Sequence, residues 1–212
     1  MNALTLEEGR TAVGLARSTL VRFLGTDYGD ALLEAVRTRE LPPVFHERRG
    51  LFVTLSTFPM GELRGCIGFS EPHYPLGEGI ARAAWLAARE DPRFPAVTAE
   101  EVPHLLIEVS VLSPLERIVH RTPDDLVREV QIGRDGLVVI ESGTSGLLLP
   151  QVPVDEGWTV KEFLSGVCVK AGLSPAAWTR PGPRFWRFTS AIFTEKSPGG
   201  PVVQREEIGS PR

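Results

Sequence analysis

Cysteine is scarce in this chain: Cys66 and Cys168 are the only two among 212 residues. Two cannot build a disulfide framework, and they are too few for a zinc site of the usual cysteine type. The usage predicts a reducing compartment and a cytoplasmic protein. No apolar run reaches the roughly 18 to 20 residues of a membrane-spanning helix. Met1-Asn2-Ala3-Leu4-Thr5-Leu6-Glu7-Glu8 carries acid where a signal peptide would carry base, and has no apolar core. Positive charge is not in excess either. A net charge of −4, with no basic run, argues against a nucleic-acid binder held by phosphate contacts. His46, His73, His104 and His120 lack metal-ligand spacing, and there is no Walker A sequence, no G-x-S-x-G and no dinucleotide fingerprint.

What is there is a chain with 42% hydrophobic residues, enough for one sizeable core or one domain in two lobes. Thr5 and Glu8 have capping-box spacing, and Val13, Ala16, Leu20 and Leu24 follow at helical intervals. A second helix fits Asp30 to Arg39, until Leu41-Pro42-Pro43 ends it. Val44 to Glu47 and Leu51 to Thr57 read as a hairpin about Arg48-Arg49-Gly50, with Leu63 to Phe69 as its next strand. Leu76 to Glu90 is crowded with alanine, which predicts a helix lying inside rather than on the surface. Thr98 with Glu101 caps a short turn, and Leu105 to Leu112 is the most strand-like segment.

Beyond Pro114, Thr122-Pro123 caps a short helix to Val130. Leu137 to Glu141 and Leu147 to Val152 form an expected hairpin across residues 142–146. Thr159 with Glu162 opens an amphipathic helix that Gly172 stops. Ser174-Pro175 starts another short helix, and Arg184 to Glu195 reads as one long strand. Residues 1–196 are expected to form a single domain, with a disordered tail over 197–212. Helices and hairpins without regular βαβ alternation predict an α+β fold.

The stretch Leu63-Arg64-Gly65-Cys66-Ile67-Gly68 carries the chemistry. As a strand it turns Leu63, Gly65, Ile67 and Phe69 towards a core, and Arg64, Cys66 and Gly68 the other way. That puts a guanidinium and a thiol on one face, about 7 Å apart at their Cα atoms. The flanking glycines leave room for another backbone or for a ligand. A cation beside a thiol raises its thiolate fraction. Equally, a lone strand cysteine is often a small buried hydrophobe, and Arg64 can simply pair with a carboxylate.

Glu108, within an apolar strand, needs a partner: either an ion pair with Arg64 or Arg93, or a role as acid, base or ligand orienter. Arg93 stands between two prolines in Asp91-Pro92-Arg93-Phe94-Pro95, where Asp91 can orient it towards an anion or tie it into a surface loop. Lys170 complements a helix C-terminus. Cys168 lies on an apolar helix stripe and reads as core. His73 is the histidine placed to serve Cys66 as a base.

The hexapeptide Leu63 to Gly68 resembles the signature of the AMMECR-type domain family, whose human member is named after a deletion region associated with Alport syndrome, midface hypoplasia and elliptocytosis. The likeness continues through Asp91 to Pro95, Ile107 to Leu112, Ile132 to Leu137, Leu149 to Val152 and Lys170 to Leu173, in the family's order. The resemblance implies two related β-β-β-α-α repeats sharing a barrel-like, mostly antiparallel sheet, in two lobes with a cleft between them. It also implies a role for a lysine at the place of Lys170, and partner proteins of the radical-SAM and Memo-like kinds. It names no cofactor and no reaction.

Three functions fit these residues. In the first, Cys66 with Glu108 is catalytic in the cleft, and Arg64, Gly65, Gly68, Arg93 and Lys170 bind a small anionic substrate. In the second, the same face is a non-catalytic module for a small anion or a protein partner. In the third, Arg64, Cys66 and Glu108 are a structural network.

Overall fold

The computed structural model describes residues 4–25 and 29–205. In chain order the elements are α1 (Leu6–Phe23), α2 (Asp30–Arg37), β1 (Leu51–Thr57), β2 (Leu63–Phe69), α3 (Leu76–Arg89), β3 (Leu105–Leu112) and β4 (Glu116–Ile118). There follow α4 (Pro123–Glu129), β5 (Gly136–Glu141), β6 (Thr144–Leu148), α5 (Val152–Asp155), α6 (Val160–Lys170), β7 (Arg184–Phe188), β8 (Ser190–Glu195) and β9 (Val202–Arg205). Contacts divide the chain into two units, one of residues up to 112 with 191–205, the other of residues 113–190.

The first unit holds a five-stranded sheet in the order β2-β1-β3-β8-β9. One of its faces is dry: Val53, Leu55, Ile107 and Val109 are buried with Ala81, Ala83, Ala84 and Ala87 of α3. The alanine-rich helix is therefore inside, as its composition requires. Close approach explains the glycine of the signature. A Cβ on Gly65 would lie 2.1 Å from the Ala87 carbonyl oxygen, so α3 can sit this near the sheet only over a residue without one. Thr5 and Glu8 form the expected capping box at the start of α1. From α1, Arg17 reaches Glu195 of β8 with two nitrogens, at 2.6 and 2.5 Å, and also donates to the Leu105 carbonyl at 2.6 Å. Glu195 in turn accepts the Ile107 amide at 3.0 Å.

The second unit holds a four-stranded sheet, β4-β7-β5-β6, packed on α4 and α6 through Leu126, Leu137, Val139, Phe163, Val167, Cys168 and Phe185. The capping boxes of Thr122 and Thr159 are both formed.

The α+β reading holds, with corrections. The described strands lie in two separate sheets, and neither closes into a barrel, because each has two free edge strands. Pro43–His46 is a turn of 3-10 helix instead of a strand, since Pro42 and Pro43 fix their φ and Pro43 offers no amide to a ladder. The hairpin of the second unit turns on two residues, Ser142 and Gly143, both at positive φ, so β6 starts earlier than expected and residues after it coil into α5. The long strand from Arg184 is broken at Thr189: β7 serves one sheet and β8 the other. Residues 197–205 are not part of a disordered tail either. Lys196 to Pro201 forms a hydrogen-bonded turn that returns the chain as β9 along β8; proline and glycine there marked a hairpin and not disorder. Residues 206–212 lie outside the described residues.

Candidate functional site

β2 is an edge strand, and its register with β1 decides what surrounds the thiol. Cys66 pairs with Thr54, and Thr54 pairs on its other side with Glu108 of β3. Directly opposed residues share a face, so Cys66, Thr54 and Glu108 form one row across the sheet, with Cys66 and Glu108 about 10 Å apart at two strand spacings. Phe52, Ser56, Leu106 and Ser110 belong to that face, the reverse of the one buried on α3. Thr54 Oγ1 donates to Cys66 Sγ at 3.3 Å. Cys66 itself is half-buried.

The other polar groups around Cys66 bind its backbone. Asp91 Oδ2 accepts the Cys66 amide at 2.8 Å, and Arg93 Nη2 donates to the Cys66 carbonyl at 3.3 Å. Arg93 and Asp91 grip each other through two bonds of 2.9 and 2.6 Å. An acceptor and a donor thus stand where a neighbouring strand would put its own carbonyl and amide, which blunts the edge. Asp91 is buried, and the Arg93 guanidinium holds its carboxyl well below the usual carboxylate range, with the Cys66 amide adding to this and burial opposing it. Arg93 is held above its ordinary value by its bond to Asp91, with burial opposing this.

Arg64 stands where the β1–β2 register shifts, and it turns away from the sulfur. Its guanidinium forms a forked pair with Glu101 at 2.8 and 3.2 Å and donates to the Pro95 carbonyl at 2.7 Å. The Glu101 carboxyl is lowered chiefly by Arg64, against burial. Arg93, then, and not Arg64, is the cation next to the thiol. Glu108 pairs with neither of them; its partner is Arg205 of β9, at 2.8 Å.

Gly68 is not open to a ligand: a Cβ there would meet the Leu51 carbonyl at 2.2 Å and the Phe52 ring at 2.4 Å. The approach that Gly65 permits is made by α3. His73 pairs with Glu71 at 3.4 Å and lies edge-on to Tyr74. Lys170 ends α6 in the second unit. Cys168 is fully buried there, and burial pushes its thiol up to about 11. The residues that sequence reading missed are Thr54 and Glu101. The first follows from the hairpin register once the turn after Thr57 is known; the second carries no local signal of its pairing with Arg64, its carboxylate also accepting the Thr98 amide at 2.8 Å.

A profile of the AMMECR1 family matches residues 13–193. The chain belongs to that family. Among its relatives, Protein MJ0810 of Methanocaldococcus jannaschii is 45% identical over 206 residues, covering 97% of this chain and 99% of its own. Protein MK0488 of Methanopyrus kandleri is 46% identical over 204 residues, 96% of each chain. The crystal structure of uncharacterized protein PH0010 from Pyrococcus horikoshii superposes with a TM-score of 0.77 at 43% identity, covering 94% of this chain and 97% of that one. The AMMECR1 signature seen from this geometry has a large structural component: Gly65 seats α3, and Asp91 with Arg93 closes the sheet edge beside Cys66.

Proposed function

We propose that this chain binds a small polar molecule on the outward face of its five-stranded sheet, against the row Cys66, Thr54 and Glu108. The observation that carries this reading is the contrast between the sheet's two faces. One is closed by alanine and aliphatic packing. The other presents a thiol, a hydroxyl and a carboxylate in register, all half-buried. A few convergent polar groups on an otherwise rigid surface are what small-molecule recognition needs.

Both nearby arginines already hold a carboxylate, so neither selects for an anion by unbalanced charge. Arg93 contributes through the nitrogen it leaves outside these bonds, as a hydrogen-bond donor beside the sulfur. Asp91, facing the Cys66 amide, balances the charge of Arg93 beside it. Binding is therefore the primary role, and the thiol its contact group.

Brief treatment of the folded chain with iodoacetamide near neutral pH, read by peptide mass spectrometry, tests this. Cys66 should be modified while Cys168 is spared, and molecules that co-purify with the chain should slow the reaction at Cys66. If Cys66 resists alkylation until the protein unfolds, the face is closed and the reading fails.

A protein-interaction role is favoured by a different feature. The tip of the β1–β2 hairpin exposes Phe58, Met60 and Leu63, at 44%, 74% and 40% of their full areas. Apolar side chains grouped at one turn suit a protein partner, and the radical-SAM and Memo-like proteins implied by the resemblance are the first to try. Loss of co-purification with such a partner in Met60→Ser would support that role; unchanged co-purification would remove it.

A further inference from the structure

The second unit contains a cavity of about 350 Å³ that no part of the signature motif lines. Its wall is unusual in charge. Arg117, Arg121, Arg180 and Arg184 all line it, together with His120, and no carboxylate of the described residues does. Of the four arginines, Arg180 is neutralised by a forked pair with Glu141 at 2.7 Å on both nitrogens. Among the described residues Arg117 and Arg121 have no ion-pair partner, and Arg184 lies over the Trp186 ring at 5.7 Å without one. His120 Nδ1 is buried and has no hydrogen-bond partner among the described residues, while its ring is held edge-on by Phe185.

The wall is also stiff. Arg117 and Arg184 stand on paired strands: Arg117 faces Trp186 across the β4–β7 ladder, and Arg184 faces Ile140 across β5–β7. The segment Arg180-Pro181-Gly182-Pro183 closes one side between two prolines. Gly182, at φ +124°, brings its backbone so near Glu141 that a Cβ would lie 2.4 Å from Oε1. Guanidinium groups held on strands and short of counter-charge form a preorganised oxyanion receptor.

We propose that this cavity is a binding site for a small phosphate monoester. Three guanidinium groups without carboxylates match a ligand that carries about two negative charges near neutral pH, which a phosphate monoester does and a single carboxylate does not. The volume lies at the small end of ligand sites, which span roughly 300 to 1,000 Å³. Trp178, whose indole nitrogen is fixed by Ser165 at 3.1 Å, supplies an apolar wall for the remainder of the ester.

Titration calorimetry of the full chain with inorganic phosphate, at low salt and slightly above neutral pH, is the test. Saturable binding is expected, weakened at least tenfold in Arg117→Gln and in Arg184→Gln, and weakened steeply by added salt. Acetate should bind at least tenfold more weakly than phosphate. Should Arg184→Gln change the thermal midpoint of the unliganded chain by releasing Trp186, Arg121→Gln, at an exposed position outside the strands, takes its place with the same expected loss. Absence of phosphate binding at millimolar concentration, equal affinity in the variants and the parent, or equal affinity for acetate would each overturn the proposal.

Discussion

The carboxylate of Asp91 takes the place of a neighbouring strand beside Cys66, accepting its amide at 2.8 Å on the free edge of β2. Arg93 completes the imitation by donating to the carbonyl of the same residue. Edge strands with open amides and carbonyls invite pairing with other chains. Here a two-residue clamp, stiffened by Pro92 and Pro95, answers both groups at one position.

Asp91→Asn should therefore cost about 1 to 3 kcal/mol near pH 7, since a buried charged acceptor is lost and Arg93 is left without its counter-charge. The sign of the pH dependence follows from the lowered carboxyl. A folded-state value below the unfolded one gives stability that is complete above about pH 4 and fades as acidity approaches the folded value. Urea unfolding of both proteins between pH 7 and pH 3 should show the gap narrowing on acidification. A gap that stays constant would mean that the charge of Asp91 contributes nothing.

Gly65→Ala should cost about 1 to 3 kcal/mol or more, because the new methyl meets a helix carbonyl that cannot rotate away. Gly14→Ala is the matched control. Gly14 lies exposed within α1, with nothing near its missing Cβ, and the change should raise stability by about 0.5 to 1 kcal/mol. Thermal midpoints moving in opposite directions would bear out the geometry; a fall in both would not.

Glu195→Ala should be among the most damaging single changes in the first unit. Glu195 is buried and serves both Arg17 and the Ile107 amide, so its removal strands a guanidinium and a backbone donor together. Breaking such a pair from one side costs about 3 to 5 kcal/mol. Replacing Arg17 and Glu195 together by methionine and leucine should recover much of this, and denaturant unfolding of the single and double variants would measure the coupling.

Cys168 should report the opening of the second unit. Its thiol is enclosed and held near 11, so alkylation has to wait for unfolding. Labelling across a urea series should follow the loss of the unit's circular dichroism. Labelling that runs ahead of it would place a local opening at the end of α6.

Much of the architecture was legible because local signals and burial agree. The capping boxes at Thr5, Thr122 and Thr159 each open a helix, and alanine density put α3 inside. Strand ends were less legible where tertiary pairing overrides composition. Residues 184–195 have one continuous strand pattern, yet the ladders on either side of Thr189 belong to different sheets. The site was half legible. Alternation placed Cys66 and Gly68 on one face and Gly65 on the other, as found, but the register shifts between Leu55 and Ser56, so Leu63 pairs with Ser56 and is exposed instead of turned to the core. Ion-pair partners were not readable, because Glu101 and Arg205 reach Arg64 and Glu108 through long-range folding that leaves no mark in spacing.

The first sheet is finished by residues made after the whole second unit. The chain leaves β3 at Leu112 and rejoins the first unit at Ala191, and Ser113 and Thr189 bond each other reciprocally at 2.9 Å where the excursion starts and ends. During synthesis, domains generally mature as they emerge. Here the earlier segment must wait, with the flank of β3 unpaired and Arg17 without its acid, until translation delivers β8. The described residues of the second unit, 113–190, are continuous in sequence and have no such wait. A ribosome pausing inside residues 113–190 would thus hold a half-built first sheet, and chaperone capture should be strongest in that window.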